Sequence, residues 1–539
     1  MTRIFAELLE QRGLGEDFLH PRYEQLFDPF LMQGMTAAVE RIEQARDKGE
    51  KILIYGDYDA DGVTASTVLK NGLAHFGCSD IEVILPNRFT DGYGMNMPAI
   101  SKMEEYGAKL VITVDCGSGS GAVIEEMQKR GIECIVTDHH EIPNLPESAL
   151  AVINPKRADE QYGSHMAGVG VAFTLARALN MRKNGGACDG QEKWLLDLVT
   201  IGTICDSMEL RGENLIMTYF GMRNVLPKTR RLGLKELAKQ ATIDLSKVDT
   251  QTIGFQIGPR INAAGRLKSA DLALNLLNTD GRAEACALAQ ELNELNNERR
   301  KKQDSAIKEV AGLIDESDDV IVACGDWHEG IVGIIAGRLV EIYKKPAFAL
   351  SRLEDGLLKG SGRSFGDFSL AEALQNCPEG LLLSGGGHAG ACGMSIRAED
   401  LEKFRAQMNE YYRSLKLKDQ EKYLRESSDV LLTDLSEINE TLYDEICLLE
   451  PFGEGNKEPI FEIKAEVADV KVLKEKHLSL MVRDDGGREL KAMWFSAPAE
   501  FLDGLKRGDE LRMQFALMRN EWRGVVKIEG RIISLERCC

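Results

Sequence analysis

Histidine is scarce in this chain, with eight residues in 539, and aromatic residues make up only 6%. The twelve cysteines form no C-x-x-C pair, which argues against a zinc ribbon or a dithiol redox motif. Most of them fall in apolar segments, where a free thiol behaves as a small core residue. The terminal Cys538-Cys539 pair reads as incidental in a reducing compartment. No apolar run approaches the roughly 20 residues that cross a bilayer, so no membrane partner is expected. Internal repeats and low-complexity tracts are absent too. The opening stretch MTRIFAELLEQRGLGEDF is charged throughout and has no secretory h-region, from which a cytoplasmic location is expected.

Basic residues are in deficit: 66 Lys+Arg against 86 Asp+Glu, a net charge of −20. Taken as a bulk property this argues against a nucleic-acid partner, but the charge is unevenly spread. Residues 460–539 carry 15 basic and 14 acidic side chains, a net +1, so the first 459 residues carry −21. A net-acidic enzyme still binds DNA through a local basic groove. Composition is otherwise ordinary for a globular protein, at 43% hydrophobic and 28% charged. The length exceeds what one core organises, so several domains are expected.

The segments KILIYGDYD, IEVILP, KLVITVDCG and IECIVTDHH each read as a buried strand rich in Val and Ile. Helical patterns such as TASTVLKNGLAHFG lie between them, which predicts an open α/β sheet of parallel strands. From about 167 the pattern turns helical, and a long polar helix is expected over 282–314. A second α/β block follows, with VIVACGD, PAFALS and CGMSIR as strands. The turn-rich PFGEGNKEP (451–459) reads as a linker, and five short alternating strands after it predict a small OB-like β-barrel. The expected division is 1–48, an N-terminal helical segment; 49–280, the first α/β domain; 281–317, a connecting helix; 318–415, a second α/β domain; 416–459, a helical linker; and 460–539, the barrel.

Polar residues collect at the carboxyl ends of the first-block strands, where open α/β sheets bind ligands. GDYDADG (56–62) supplies Asp57, Asp59 and Asp61; TVDCGSGSG (113–121) supplies Asp115; VTDHH (136–140) supplies Asp138, His139 and His140. IGTICDSMEL (201–210) adds Asp206 at the end of an apolar helical run. Singly, each is a solvated acidic turn or a helix cap such as Asp61. Together the carboxylates repel one another unless cations neutralise them. Carboxylates with imidazole and no thiolate suit Mn²⁺ or Mg²⁺ rather than structural zinc, and two such ions sharing a carboxylate hydrolyse phosphate esters. Gly56 and Gly62 are expected to relieve crowding where backbone passes close to a ligand.

These four motifs resemble those of the DHH phosphoesterase superfamily. LPNRFTDGYGM (85–95), GPRINAAGRL (258–267), WHEGIVGIIAGRL (327–339), GSGRS (360–364), GGGHAGACGMSI (385–396) and EPFGEGN (450–456) narrow the resemblance to its bacterial single-strand-specific 5′→3′ exonucleases, over nearly the whole chain. The resemblance implies hydrolysis of single-stranded DNA from the 5′ end to mononucleotides, in recombination and repair. Two divalent cations, Mn²⁺ or Mg²⁺, are implied as cofactors. Asp57, Asp59 and Asp115 would hold one; Asp61, Asp115, His139 and Asp206 would hold the other, with Asp115 shared. Asp138 would orient an imidazole and His140 would face the scissile phosphate.

The second α/β block resembles the DHH-associated substrate-binding domain. Its glycine-rich loop, with Gly386, Gly387 and His388, would approach phosphate; by itself such a loop is more often a plain turn. Ser361 and Arg363, with Arg88, Arg260 and Arg266, resemble the pocket for the terminal 5′-phosphate, although each arginine alone reads equally as a structural ion pair. Trp327-His328 is expected at a domain seam. Trp494 and Trp522 fall in the barrel, either stacking bases on an open face or lying in its core or edge. The resemblance further implies single-strand-binding protein and a RecQ-type helicase as partners, and a monomer. The chain departs from the family pattern at SMEL (207–210), at Lys457 and at Ser118, where an aliphatic residue is usual. Two rivals share the metal set or the fold: phosphodiesterases of short oligonucleotides, which generally lack GPRINAAGRL and the barrel, and non-catalytic scaffolds, which are expected to lose ligands. A family II pyrophosphatase is disfavoured by length.

Overall fold

In the computed structural model, which describes all residues except 93, 164, 313, 316, 354, 418–426, 503, 523, 524 and 539, the four expected runs form β1 (Ile52–Tyr55), β2 (Ile81–Ile84), β3 (Leu110–Val114) and β4 (Glu133–Thr137). A three-residue strand, β5 (Ala151–Ile153), too short to stand out as an apolar run, joins them. All five are parallel, in the order β2-β1-β3-β4-β5. Every residue of β1 and β3 is buried, because helices cover both faces of such a sheet. The chain runs from β1 outward to β2 and then returns to the other side of β1 as β3. Two adjacent loops therefore diverge at the carboxyl edge, and a crevice opens between them.

The second sheet runs β6 (Ile321–Gly325), β7 (Ala347–Arg352), β8 (Leu357–Arg363), β10 (Ala391–Arg397), β9 (Ser384–Gly387). Three of these strands were expected. β8 and β9 carry GSGR and SGGG, and glycine-rich runs lack the side chains that signal a strand. The long helix spans Arg282–Val310 and, with the helix Val332–Tyr343, lies against this sheet. Together with the first sheet these elements form one compact unit, residues 29–206 and 224–426.

The second unit comprises 1–28, 207–223 and 427–539. Its strands β12 (Phe461–Leu473), β13 (His477–Arg483), β14 (Glu489–Trp494), β16 (Val525–Arg537) and β15 (Glu510–Trp522) follow one another round a closed barrel, β12 pairing with β15. The one parallel pairing within the barrel, β14 with β16, marks the Greek-key crossover of an OB-fold. A two-residue strand, β11 (Val430–Leu431), adds to β12. The N-terminal helix Arg3–Arg12 contributes Ile4, Phe5 and Leu8 to the core of this unit. The segment read as a linker is anchored: Asn456 is buried and its Nδ2 donates to the Leu449 and Pro451 carbonyls at 2.7 and 2.8 Å. Trp494 is buried and lies 5.1 Å from the Phe501 ring, a core position rather than an open stacking face. The side chain of Trp522 lies outside the described residues. Among the described residues no helix is long and apolar enough to cross a membrane, and the cysteines are free.

Candidate active site

The GDYDADG loop leaves β1 and enters the helix Ala60–Phe76. The cap of that helix is Asp59, whose carboxylate accepts from Gly62 N–H at 3.0 Å; the expectation of Asp61 as the cap is corrected. Asp61 sits in the first turn, buried, and accepts from the N–H groups of Gly168 and Val169 at 2.7 and 3.0 Å. Both glycines are required for internal packing. A Cβ at Gly62 would fall 2.5 Å from the Asp57 carbonyl oxygen, and one at Gly56 would collide with the Ser66 hydroxyl.

Asp115 follows β3 with φ +59°, a left-handed conformation that Asp adopts more readily than most residues. The turn is held by Asp115 N–H donating to Thr137 C=O at 3.1 Å and by Thr113 Oγ1 donating to Cys116 C=O at 2.7 Å. This conformation directs the buried carboxylate toward the end of β4. There His139 Nε2 lies 3.0 Å from Asp115 Oδ1, 3.6 Å from Asp206 Oδ2 and 3.9 Å from Asp61 Oδ2. Asp206 arrives from the C-terminal end of the helix Leu196–Cys205. Three groups bring ligand atoms within 4.8 Å of one another: Asp57, Asp59 and Asp115; Asp61, His139 and Asp206; and Asp115, His139 and His140.

Burial penalises these charges and proximity adds to it. Desolvation, then Asp59, pushes the Asp57 carboxyl up to about 8. Desolvation and the charge of Asp59 raise Asp206 to about 7. Asp61 and Asp115 are driven well above the usual range by desolvation, followed by Asp206 and Asp61 respectively. Burial lowers His139 to about 3, which leaves it a neutral imidazole with lone-pair density. Asp57 Oδ1, Asp115 Oδ1 and both ring nitrogens of His139 are buried without a hydrogen-bond partner. Buried orphan acceptors among mutually repelling carboxylates fit divalent cations.

Asp138 and His140 form a separate pair. His140 Nδ1 lies 2.8 Å from Asp138 Oδ1. Burial alone would raise the Asp138 carboxyl, but His140 and Ser118 outweigh it and hold it below the usual range. His140 is raised, because the hydrogen bond and charge of Asp138 exceed its own desolvation. With Gly94, Gly117, Glu141 and His388 it lines a cleft of about 370 Å³.

The arginines divide. Arg88 stacks 4.3 Å over the Tyr58 ring, and its Nε is buried without a partner. Arg266 is lowered to about 9 by burial, then by Arg88 and Arg299; its Nη1 donates to Gly330 C=O at 3.3 Å. Arg363 donates from Nη1 to Ser361 Oγ at 3.0 Å and to Gly362 C=O at 2.8 Å. Burial lowers it as well, and Arg88 adds to the shift. Arg88, Arg266 and Arg363 thus share one electrostatic neighbourhood, as an anion pocket requires. Arg260 is tied to Asn293 Oδ1 at 3.0 Å and Gln256 C=O at 2.7 Å, facing the long helix. GGGHAG is not a loop throughout: Gly386 and Gly387 belong to the edge strand β9, and only from His388 does the chain turn. Trp327 is buried and donates to Glu309 Oε2 at 3.1 Å, while the His328 ring meets Phe89 edge-on at 5.4 Å.

Residues the motif reading did not single out complete the site. Asn262 Oδ1 accepts from Ala60 N–H at 2.8 Å, joining GPRINAAGRL to the aspartate loop. Gly168 packs so tightly that a Cβ would fall 2.5 Å from the Asp115 Cβ. Asn154 Nδ2 donates to Ser118 Oγ at 2.8 Å and to His140 C=O at 2.9 Å. A polar residue at a strand end before proline is the only sequence signal for Asn154; Gly168 gives none beyond its small size.

A parallel sheet with a carboxylate–imidazole cluster at its switch point defines a DHH-type phosphoesterase. The family model for the DHH family N-terminal domain matches residues 51–203, that for the DHHA1 domain 317–414, and that for the RecJ OB domain 431–534. The single-stranded-DNA-specific exonuclease RecJ of Bacillus subtilis is 35% identical over 537 residues, covering 97% of this chain and 66% of that protein. RecJ of Escherichia coli K12 is 33% identical over 523 residues, covering 92% and 88%. The crystal structure of Thermus thermophilus RecJ with Mn²⁺ matches with a TM-score of 0.85 at 31% identity, covering 99% of this chain and 76% of that one. The same protein with Mg²⁺ gives a TM-score of 0.79. The chain belongs to the RecJ family.

Proposed function

We propose that this chain is a single-stranded-DNA-specific exonuclease, degrading from the 5′ end to mononucleotides by two-cation phosphodiester hydrolysis, in recombination and repair. The observation that carries the reading is the pair of ligand clusters on either side of Asp115, next to a group of partly buried arginines. Asp57, Asp59 and Asp115 would hold one divalent cation, Mn²⁺ or Mg²⁺, and Asp61, Asp115, His139 and Asp206 the other. Such a pair supplies a nucleophile from water at neutral pH and neutralises charge on the phosphoryl group. Gly168 and Val169 N–H groups aim Asp61, and neutral His139 offers Nε2. Asp138 aligns His140, which faces the scissile phosphate. Arg88, Arg266 and Arg363, with Ser361, would bind the terminal 5′-phosphate, and His388 with the edge of β9 would contact the backbone behind it. Arg260 would serve the substrate through the N–H donors that its bonds to Asn293 and Gln256 leave over.

The domain division proposed is an N-terminal segment to 48, the phosphoesterase domain 49–280, the connecting helix to 317, the DHH-associated domain to 415, a linker to 459 and the nucleic-acid-binding barrel. Single-strand-binding protein and a RecQ-type helicase are the proposed partners, with a monomeric, cytoplasmic enzyme. The test is a Mn²⁺ time course on long single-stranded DNA labelled internally and at the 3′ end, with 5′-phosphate and duplex controls. Progressive mononucleotide release from the 5′ end, with duplex spared, is expected. Survival of long DNA while dinucleotides are cut would replace this reading with a short-oligonucleotide phosphodiesterase.

A further inference from the structure

The WHEGIVG segment, residues 327–333, touches each of the three stretches that carry the pocket arginines. The His328 ring meets Phe89, the neighbour of Arg88, edge-on at 5.4 Å. Gly330 offers its carbonyl to Arg266 Nη1 at 3.3 Å, and a Cβ on it would fall 2.0 Å from the Arg266 carbonyl oxygen. Glu329 pairs at 2.7 Å with Lys359 on β8, the strand that ends in Arg363. Gly333, in the first turn of the helix Val332–Tyr343, faces Arg363 itself.

The contact at Gly333 leaves little room for a side chain. A Cβ there would lie 3.1 Å from Arg363 Nη2 and 3.3 Å from Ser361 Oγ. Neither neighbour gives way freely. Arg363 Nη1 donates to Ser361 Oγ at 3.0 Å and to Gly362 C=O at 2.8 Å, and Ser361 Oγ donates to Cys392 C=O at 2.9 Å. The guanidinium is a rigid plane, so pushing Nη2 aside pulls Nη1 off both acceptors. Nη2 itself has no hydrogen-bond partner among the described residues. Its two hydrogens border a face of the helix that is bare because residue 333 has no side chain. Gly333, Ser361 and Arg363 are all partly exposed, so this open end of the fork is reachable from solvent.

We infer that Gly333 is a specificity-determining residue: its missing side chain leaves Arg363 Nη2 open to a phosphate oxygen, while the turn before it ties the Arg88, Arg266 and Arg363 segments together. The inference rests on the proposed reading of these arginines as the pocket for the terminal 5′-phosphate. A methyl group at 333 would either occupy the space beside Nη2 or turn the fork away from it. Both outcomes remove a donor from the phosphate and leave the cation ligands untouched.

The test compares Gly333→Ala with Gly337→Ala in the full chain. Both replace glycine by alanine in one helix, but a Cβ at 337 would meet nothing nearer than Arg363 Cγ at 4.0 Å. With Mn²⁺ and single-stranded DNA, the preference for a 5′-phosphate over a 5′-hydroxyl end is expected to shrink about tenfold in Gly333→Ala, the scale of one hydrogen bond to a charged group. The loss should fall in KM for the phosphorylated strand and not in kcat, and Gly337→Ala should keep the wild-type preference. In an Arg363→Ala background the Gly333→Ala change should remove no further preference, because both act on one contact. A second readout needs no turnover: fluorescence anisotropy of 3′-labelled oligothymidylate with either 5′ end, in chelator, should show the same tenfold change. A preference that survives in Gly333→Ala, an equal loss in Gly337→Ala, or a further loss without Arg363 overturns the assignment while the pocket stands. A wild type that binds both ends alike overturns the phosphate pocket itself, and the role of Gly333 with it.

Discussion

His139 Nε2 stands 3.0 Å from Asp115 Oδ1, across the ends of neighbouring strands β4 and β3. The imidazole is neutral and the carboxylate is under strong pressure to protonate, for the same reason: both are buried. A divalent cation held by these two residues and Asp61 would relieve both conditions at once.

Asp115→Asn keeps the left-handed backbone, which Asn also tolerates, while removing the shared charge. Hydrolysis should fall on the order of 10³-fold, the scale for losing a key electrostatic group in an active site. The melting temperature of the metal-free protein should not drop, because one of several repelling carboxylates is gone. Undiminished turnover with Mn²⁺ would remove Asp115 from the bridging position.

The crowded carboxylates also set a pH trend. Asp57 titrates at about 8 and Asp206 at about 7 in the folded protein, against about 4 for an unfolded carboxyl. Across that window the metal-free fold keeps protons that the unfolded chain has released, so its stability is fullest at the acid end and is lost as pH rises toward 8. Asp138 works in the opposite sense only below the usual carboxylate range, and His139, lowered to about 3 against about 6.5 unfolded, offsets part of the loss below about pH 6.5 without reversing it. Divalent cations bind the deprotonated groups. Chelated protein should therefore melt at a lower temperature at about pH 8 than at about pH 5, and Mn²⁺ should raise the melting temperature more at the higher pH. Equal Mn²⁺ stabilisation at both would contradict the ligand assignment.

Gly168→Ala places a methyl group 2.5 Å from the Asp115 Cβ. Either the helix Gly168–Lys183 backs away from Asp61, or Asp115 turns aside. In both cases Mn²⁺ binding, followed by titration calorimetry, should weaken at least about tenfold, the lower end of the effect of disturbing groups that orient metal ligands. Far-ultraviolet circular dichroism should be unchanged.

Arg266→Met separates function from stability. The guanidinium is partly buried, its hydrogen bond to Gly330 C=O is long, and Arg88 and Arg299 repel it. Replacing a partly buried charge that neighbouring arginines repel and only Asp59 favours with an apolar chain of similar length costs little, so the melting temperature should hold. The preference for a 5′-phosphate over a 5′-hydroxyl end should shrink about tenfold to a hundredfold, the range for hydrogen bonds to a charged group. An intact preference would show that the terminal phosphate binds elsewhere.

How much of this was legible differs from residue to residue. The strand runs, the long helix and the five barrel segments were readable because burial on two faces, or alternation on one, leaves a periodic mark in composition. β8 and β9 were not, since GSGR and SGGG have no side chains to carry that mark. The aspartates and histidines stood out because apolar strands end abruptly in polar groups, and the sequence alone determined that they reach one sheet edge. Which oxygen meets which nitrogen was decided only in three dimensions. The sign of φ at Asp115, the capping of Asp61 by Gly168 and Val169 from 107 and 108 residues away, and the chain of hydrogen bonds from Asn154 through Ser118 to Asp138 all depend on backbone contacts between segments distant in sequence. Such contacts need only a small residue or one polar group at each point, so they leave no period and no composition bias to read. Arg88, Arg266 and Arg363 were legible as basic residues; that they feel one another's charge while Arg260 faces the long helix is a product of tertiary packing.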